Sequence, residues 1–248
     1  LQWIAFIPAY VFQTEKFYDL MGSITYLSVM WFSLASTSEQ FTALNGANIA
    51  IVLLITLWAL RLGTFLFMRI HKDGEDKRFR SIKPSATQFF MTWTLQGLWV
   101  SMCSMCALTA ISSETGVVMN ALFYIGLGLF IYGFCTEIIA DNQKSKFRSI
   151  PENRDKFITT GLWAKSRHPN FFGEIVLWAG IAVMSFSSLN GLQYLTLISP
   201  VFTYLLLVYV SGVRMLEARA DKKWGQDEEY VKYKSETPVL MIKYLGRP

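Results

Sequence analysis

The run NIAIVLLITLWALRLGTFLFMRI, residues 48–70, constrains this chain more than any other stretch. Arg61 is its only charge before Arg69. A bilayer-crossing helix needs about 20 mostly apolar residues, and this run supplies them. Similar runs recur along the sequence. Seven spans are read: 1–13, 18–36, 47–70, 87–111, 117–140, 171–189 and 191–212. Charged residues make up 17% of the chain, against about a quarter in soluble domains. The fold class is therefore all-α: a polytopic integral membrane protein with seven transmembrane helices. Residues 1–248 are read as one transmembrane domain, with no repeat or low-complexity segment. Leu1 already lies inside an apolar run and no cleavable signal is evident, so further residues are expected upstream. Asn190-Gly191 is expected to make a tight turn between the last two spans.

Lys and Arg set the orientation, because cytoplasmic loops carry their excess. The segments 69–83, 144–167 and 214–247, with Lys16, hold every Lys and Arg except Arg61. The opposite loops, 37–46 and 112–116, have none. The N-terminus is expected outside and the C-terminal tail in the cytosol. The net charge of +5 is thus topogenic first, and no groove-reading module points to nucleic acid. Cys103, Cys106 and Cys135 lie in apolar runs without a disulfide framework. The only histidines, His71 and His168, sit on different loops, so no metal site is expected.

Arg61 lies about 12 Å deeper than Arg69 on one helix, where an arginine must be paired or solvated. It is read either as a structural ion pair or as a ligand contact in a water-accessible cavity. Glu15, Asp19, Glu137, Asp141, Glu174 and Glu217 also fall near cytosolic span ends. Charges gathered on one side of a bilayer suggest a polar cavity opening there, though each is also compatible with capping or snorkelling.

In GLWAKSRHPNFFGE, Pro169 breaks the preceding backbone and Asn170 is an expected N-cap. Glu174 sits near the positive end of that helix, and Gly173 leaves room for something flat. Arg167 and His168 add donors just outside, so the stretch reads as an anion- and amide-binding edge or as an ordinary capped helix start. In 137–157, Glu137 and Asp141 share a face that Lys144 and Arg148 continue. That face suits a nucleotide, carboxylate to ribose or amide and base to phosphate, or a set of salt bridges. The loop 69–84 offers Asp76 and Arg78 to phosphate or to solvent. Trp224, Tyr230 and Tyr233 in the tail are candidate interface anchors. In VFQTEKFYDL, a carboxyl sheltered from water keeps its proton to higher pH. Glu15 is therefore expected to donate to a carbonyl, unless the segment is only a polar turn. The glycines of YIGLGLFIYG, 124–133, lie mid-span with no strand before them. They read as helix-packing glycines rather than a dinucleotide fingerprint.

In order, LWALRLGTFLFMRI, GEDKRF, ADNQKSKFR, GLWAKSRHPNFFGE and the tyrosine-spaced tail resemble the steroid 5α-reductase family, and more closely its bacterial membrane relatives. The resemblance implies seven-helix enzymes that reduce an enone C=C bond with NADPH, typically in a 3-oxo-Δ4 steroid. It implies substrate-side helices in 1–110 and a cofactor-binding half in 111–248. It places Arg61, Arg69, Asp141, Arg148, Lys156, Asn170 and Glu174 at the cofactor. Asp76, Arg78, Glu137, Lys144, Arg167, His168, Glu217 and Tyr230 complete that candidate set. Gln13 and Glu15 resemble a pair that holds the ketone, with Thr14 between them. Trp58 stands where relatives have a tyrosine, and Tyr18 or Tyr26 is a candidate replacement. A protonated Glu15 with a tyrosine would stabilise the developing enolate, at about 3–4 kcal/mol per donor. The expected partners are a sterol-like lipid and the bilayer, in a bacterial inner membrane or the endoplasmic reticulum. The rival resemblance is a membrane methyltransferase of the isoprenylcysteine type, whose S-adenosylmethionine carries no phosphates. The basic residues Arg61, Arg69, Lys144, Arg148 and Lys156 exceed what such a cofactor needs.

Overall fold

The computed structural model of the protein describes residues 1–40 and 45–243, with the side chains of 38–40 left aside. Residues 41–44 of the expected loop over 37–46, and Arg247 of the tail, lie outside the described residues. All regular structure among the described residues is helical. It comprises α1 (Gln2–Val11), α2 (Tyr18–Gln40), α3 (Gly46–Asp73), α4 (Ala86–Ile111), α5 (Ala121–Ser149), α6 (Pro169–Ser185), α7 (Ile198–Leu205), α8 (Val213–Trp224) and α9 (Glu228–Glu236).

Five helical stretches are long and apolar enough to cross a membrane: Gly46–Asp73, Ala86–Ile111, Ala121–Ser149, Pro169–Ser188 and Gly191–Trp224. They correspond to five of the seven expected spans. The other two, 1–13 and 18–36, form α1 and α2. At 10 residues, α1 is about 15 Å long, half the thickness of the hydrocarbon core. The first half of α2 carries Asp19, Ser23, Thr25 and Ser28. The last stretch is not one smooth helix. A 3-10 segment over Gly191–Leu197 leads into α7, a π-helical turn over Leu206–Val210 follows, and α8 restarts after Gly212. Gly191 has φ +51°, the left-handed backbone that the expected turn demands and glycine tolerates.

The chain divides into two compact units. One comprises Leu1–Met119 with Ser185–Ser199, the other Asn120–Met184 with Pro200–Pro248. The boundary thus falls nine residues after the division expected at 110, and the first unit takes back a short later segment.

In the first unit, Ala5, Ala9, Phe79, Phe89 and Trp93 form a buried apolar cluster. Phe6, Phe17, Tyr18 and Ile82 pack against it. This cluster draws α1, the 12–17 linker, the 74–85 loop and the start of α4 together. At the far end of α3, Asn45 caps the helix through Ala47 N–H, 2.8 Å, and its amide donates to Val117 O, 3.0 Å.

In the second unit, α5 and α6 meet through glycines. A Cβ on Gly126 would stand 2.5 Å from Gly180 O, and one on Gly133 would stand 2.5 Å from Gly173 O. Of the mid-span glycines of 124–133, Gly126 and Gly133 are therefore helix-packing residues, as expected, while a Cβ on Gly128 would meet nothing within 4 Å. Gly173 leaves room for the α5 backbone at Gly133 and Glu137, not for a flat ligand. The tail folds back on the 154–168 segment. Phe157 is ringed by Trp224, Tyr230 and Tyr233, with centroids 5.8, 5.2 and 5.7 Å away. Tyr233 Oη donates to Trp163 O, 2.6 Å, and Trp224 Nε1 to Asp155 O, 2.7 Å. These three candidate interface anchors pack together because Phe157 offers them apolar surface within the unit.

Candidate functional site

In the first unit the apolar cluster around Phe79 presses two polar segments together. Glu15, from the linker, is only 2% exposed. Lys83 Nζ lies 2.5 Å from its Oε2, and Asp76 N–H donates to its Oε1 at 2.9 Å. Asp76 in turn caps the short helical turn Lys77–Phe79 through Arg78 N–H, 2.9 Å. Its Oδ2 accepts from Arg78 Nε at 2.8 Å and Nη2 at 2.5 Å. Burial opposes ionisation of Asp76, but the forked Arg78 guanidinium outweighs it and holds the carboxyl below its usual range. The charges of Arg78 and Arg69 also reach Asp19, whose buried Oδ2 has no hydrogen-bond partner among the described residues.

This network corrects one expectation. Glu15 was expected to donate to a carbonyl, yet both its oxygens accept here, because Lys83 and the Asp76 amide occupy them. Gln13 is exposed, has φ +49°, and gives its amide to Tyr10 O at 2.8 Å. Tyr18 Oη donates to Thr92 O, 3.0 Å, and its ring meets Phe79 and Trp93 edge-on. Trp58 and Tyr26 are brought together, both buried, with centroids 5.1 Å apart and planes at 89°. Arg61 is half-buried with its guanidinium 5.1 Å above Phe65, and Arg69 is exposed.

In the second unit Glu137, Asp141 and Glu174 are all buried, at 2%, 7% and 7% exposure. The Lys144 ammonium lies 4.3 Å above the Trp163 ring, while Arg148 and Lys156 are exposed. Glu217 bridges two consecutive residues. Arg167 Nη1 donates to its Oε2 at 2.7 Å, and His168 Nε2 lies 2.8 Å from its Oε1. The side chains of Arg167 and His168 are only 10% and 7% exposed. Glu217 therefore compensates the charge that was expected to face an anion. Burial pushes His168 below its ordinary range, although the Glu217 carboxylate pulls the other way. A neutral imidazole that gives its Nε2 proton to Glu217 leaves Nδ1 as an acceptor. That Nδ1, Arg167 Nε and Asn170 Oδ1 are buried without hydrogen-bond partners among the described residues.

Asn170 was expected to cap α6. It lies inside the first turn instead, because Pro169 takes the first helical position. His168 O receives the Phe172 N–H at 3.1 Å. Tyr230 is buried and its hydroxyl donates to Asp221 Oδ1 at 3.0 Å.

The family model described as "Protein of unknown function (DUF1295)" matches residues 5–237, nearly the whole chain. This protein is a member of the DUF1295 family. Among curated proteins, a "Probable O-methyltransferase ustE" of Ustilaginoidea virens is 30% identical over 116 residues. That alignment covers 41% of this chain and 41% of the relative, so the DUF1295 chain spans less than half of that protein's length. No solved structure matches.

The segments that matched expectation in this DUF1295 chain are those joined by helical periodicity. Lys83, Asp221, Lys234 and Trp163 were missed. Lys83 reaches Glu15 across 68 positions, and Lys234 reaches Asp221 Oδ1 at 2.5 Å across 13. No spacing rule covers either contact. The available signal was the charge excess of each loop, which says that partners are needed but not which.

Proposed function

We propose that this protein is an NADPH-dependent membrane reductase that saturates the enone C=C bond of a 3-oxo-Δ4 steroid or a related lipid. The family it belongs to is a steroid 5α-reductase-like membrane family. In this reading α1 and α2 also enter the bilayer, giving seven spans with the N-terminus outside and the basic segments cytosolic.

One observation carries the cofactor choice. Within four consecutive positions the chain buries an unpartnered donor, Arg167 Nε, and two unpartnered acceptors, His168 Nδ1 and Asn170 Oδ1. Buried polar atoms are rarely left without partners. Their complement is a group with two N–H donors and one acceptor, which is what a primary carboxamide offers. The residues present therefore fit a nicotinamide. Lys144, Arg148 and Lys156 of the same unit supply charge for phosphates. Glu217 holds Arg167 and His168 in place.

Bound NADPH would supply a hydride. The chain's own residues bind and orient it. On the substrate side the resemblance points to Glu15 and a tyrosine, and Tyr26 packs against Trp58 with centroids 5.1 Å apart. The second reading, methyl transfer from S-adenosylmethionine, is favoured by the printed name of the Ustilaginoidea virens relative. An adenine edge presents a similar donor–acceptor set, but that cofactor has no use for the bases.

Detergent-purified protein mixed with NADPH and a Δ4-3-ketosteroid should oxidise the nicotinamide, read as loss of its absorbance. Labelled S-adenosylmethionine with a prenylated thiol is the matched control. Methyl transfer without nicotinamide oxidation would replace the first reading with the second.

A further inference from the structure

We propose that Glu217 is a positioning residue that sets the tautomer of His168 and through it makes the site prefer a carboxamide to a carboxylate. This rests on the reductase reading, and every residue it uses belongs to the second unit. Paired with Arg167 at 2.7 Å, Glu217 is a carboxylate, which accepts hydrogen bonds and cannot donate them. The contact with His168 Nε2 at 2.8 Å therefore takes its proton from the imidazole. A neutral imidazole carries one N–H, so Nδ1 is left as an acceptor. It then matches Asn170 Oδ1. Both atoms are buried without hydrogen-bond partners among the described residues, and together they suit the two N–H donors of a carboxamide. A carboxylate would bring acceptors against acceptors and leave them unpaired.

The imidazole is also held by contacts other than Glu217. Its ring stacks on Phe171, with centroids 5.8 Å apart and planes at 9°. Its backbone N–H donates to Ser166 Oγ at 3.3 Å, and that hydroxyl donates to Leu240 O at 2.9 Å. Arg167 N–H donates to Pro238 O at 2.9 Å. Glu217 can thus be altered with the ring in place. Glu217→Gln is the informative change, because Arg167 dictates its outcome. Oε2 faces Arg167 Nη1 and, at 3.9 Å, Lys234 Nζ, and both of these only donate. The glutamine oxygen must take that side. The glutamine nitrogen then points at His168 Nε2, which becomes the acceptor, and the imidazole proton moves to Nδ1.

Imidazole nitrogen NMR of the detergent-purified protein, above about pH 7 where histidine is neutral, reads the tautomer without any ligand. His168→Gln separates its signal from that of His71. The wild type should carry the proton on Nε2, and Glu217→Gln on Nδ1. Affinities for NADPH and for its nicotinic acid analogue, the same dinucleotide with a carboxylate in place of the carboxamide, read the consequence. The wild type should bind NADPH about 100-fold more tightly than the acid, two lost hydrogen bonds at about tenfold each. In Glu217→Gln that ratio should fall to about tenfold or below. A merely structural contact would weaken both ligands alike and keep the ratio. The wild-type measurements need no variant, so they decide even where Glu217→Gln does not fold. A wild-type His168 protonated on Nδ1, a wild type that binds the acid as well as the amide, or a tautomer or ratio unchanged in Glu217→Gln overturns the proposal. A wild-type protein that binds neither dinucleotide overturns the reductase reading itself, which is a different result.

Discussion

His168 Nε2 lies 2.8 Å from Glu217 Oε1, a contact that crosses 49 positions of sequence. It joins the start of α6 to α8 within the second unit, and it makes the histidine a pH sensor with a definite sign. An unfolded histidine titrates near 6.5, and burial sets His168 lower than that. Above about pH 7 both states are neutral there and the residue contributes no pH dependence. As pH falls below about 6.5 the unfolded chain binds a proton that the folded chain refuses, so stability declines. The decline ends once the folded His168 also protonates. The slope is at most about 1.4 kcal/mol per pH unit for one proton. Melting temperatures in detergent between pH 7.5 and 5.5 should fall for the wild type and fall less for His168→Gln. Parallel slopes for the two proteins would show that His168 does not carry the effect.

The glycine contacts of the second unit predict a steep cost for one methyl group. A Cβ on Gly173 would stand 2.5 Å from Gly133 O and 2.8 Å from Glu137 N, both backbone atoms that cannot swing away. Overpacking of this kind costs about 1–3 kcal/mol. Gly173→Ala should lower the melting temperature by several degrees. Gly128→Ala, on α5 with nothing within 4 Å of its Cβ, should leave it unchanged or raised. Equal melting temperatures for the two variants would mean that the helices do not pack through these glycines.

The same contrast explains what the sequence could disclose. The five apolar helices were legible because membrane length and hydropathy are local properties. So were the Gly191 turn and the continuation of the Glu137–Arg148 face to Ser149, which follow from φ and from helical spacing. The sites were legible only as an inventory. Glu15 and Lys83 were each visible as charges needing partners, but their pairing depends on Phe79 and Trp93 packing the linker against the loop. Periodicity misread Asn170 as a cap because Pro169 and Asn170 both suit a helix start, and Pro169 took the first position. It could not disclose that Trp224, Tyr230 and Tyr233 gather on Phe157, because an apolar ring suits a membrane interface and a protein core equally well.

Glu15→Gln separates the two bonds that Glu15 makes. An amide oxygen still accepts the Asp76 N–H, but the charge that holds Lys83 is gone. Removing one partner of a buried pair costs several kcal/mol when both are dry. With Lys83 partly exposed, about 1–3 kcal/mol is expected. Amide hydrogen exchange should quicken across 74–85 and stay unchanged across α5 and α6. Turnover of an enone should drop at least tenfold with NADPH affinity held. Full activity in this variant would remove Glu15 from the chemistry, and unchanged exchange would remove it from the loop.

Asn170 gives the sharpest test of the cofactor reading, because its role there is not shared with folding. Its Oδ1 is buried and meets no donor among the described residues, so replacing it breaks no hydrogen bond of that atom that the fold uses. Asn170→Ala should leave the melting temperature of the isolated protein near the wild-type value. NADPH affinity, followed by nicotinamide fluorescence, should weaken about tenfold, the loss of one good hydrogen bond at about 1.4 kcal/mol. Asn170→Asp keeps an acceptor and should recover much of it. An Asn170→Ala protein that binds NADPH as well as the wild type would place the carboxamide elsewhere, and one that melts several degrees lower would make Asn170 a structural residue after all.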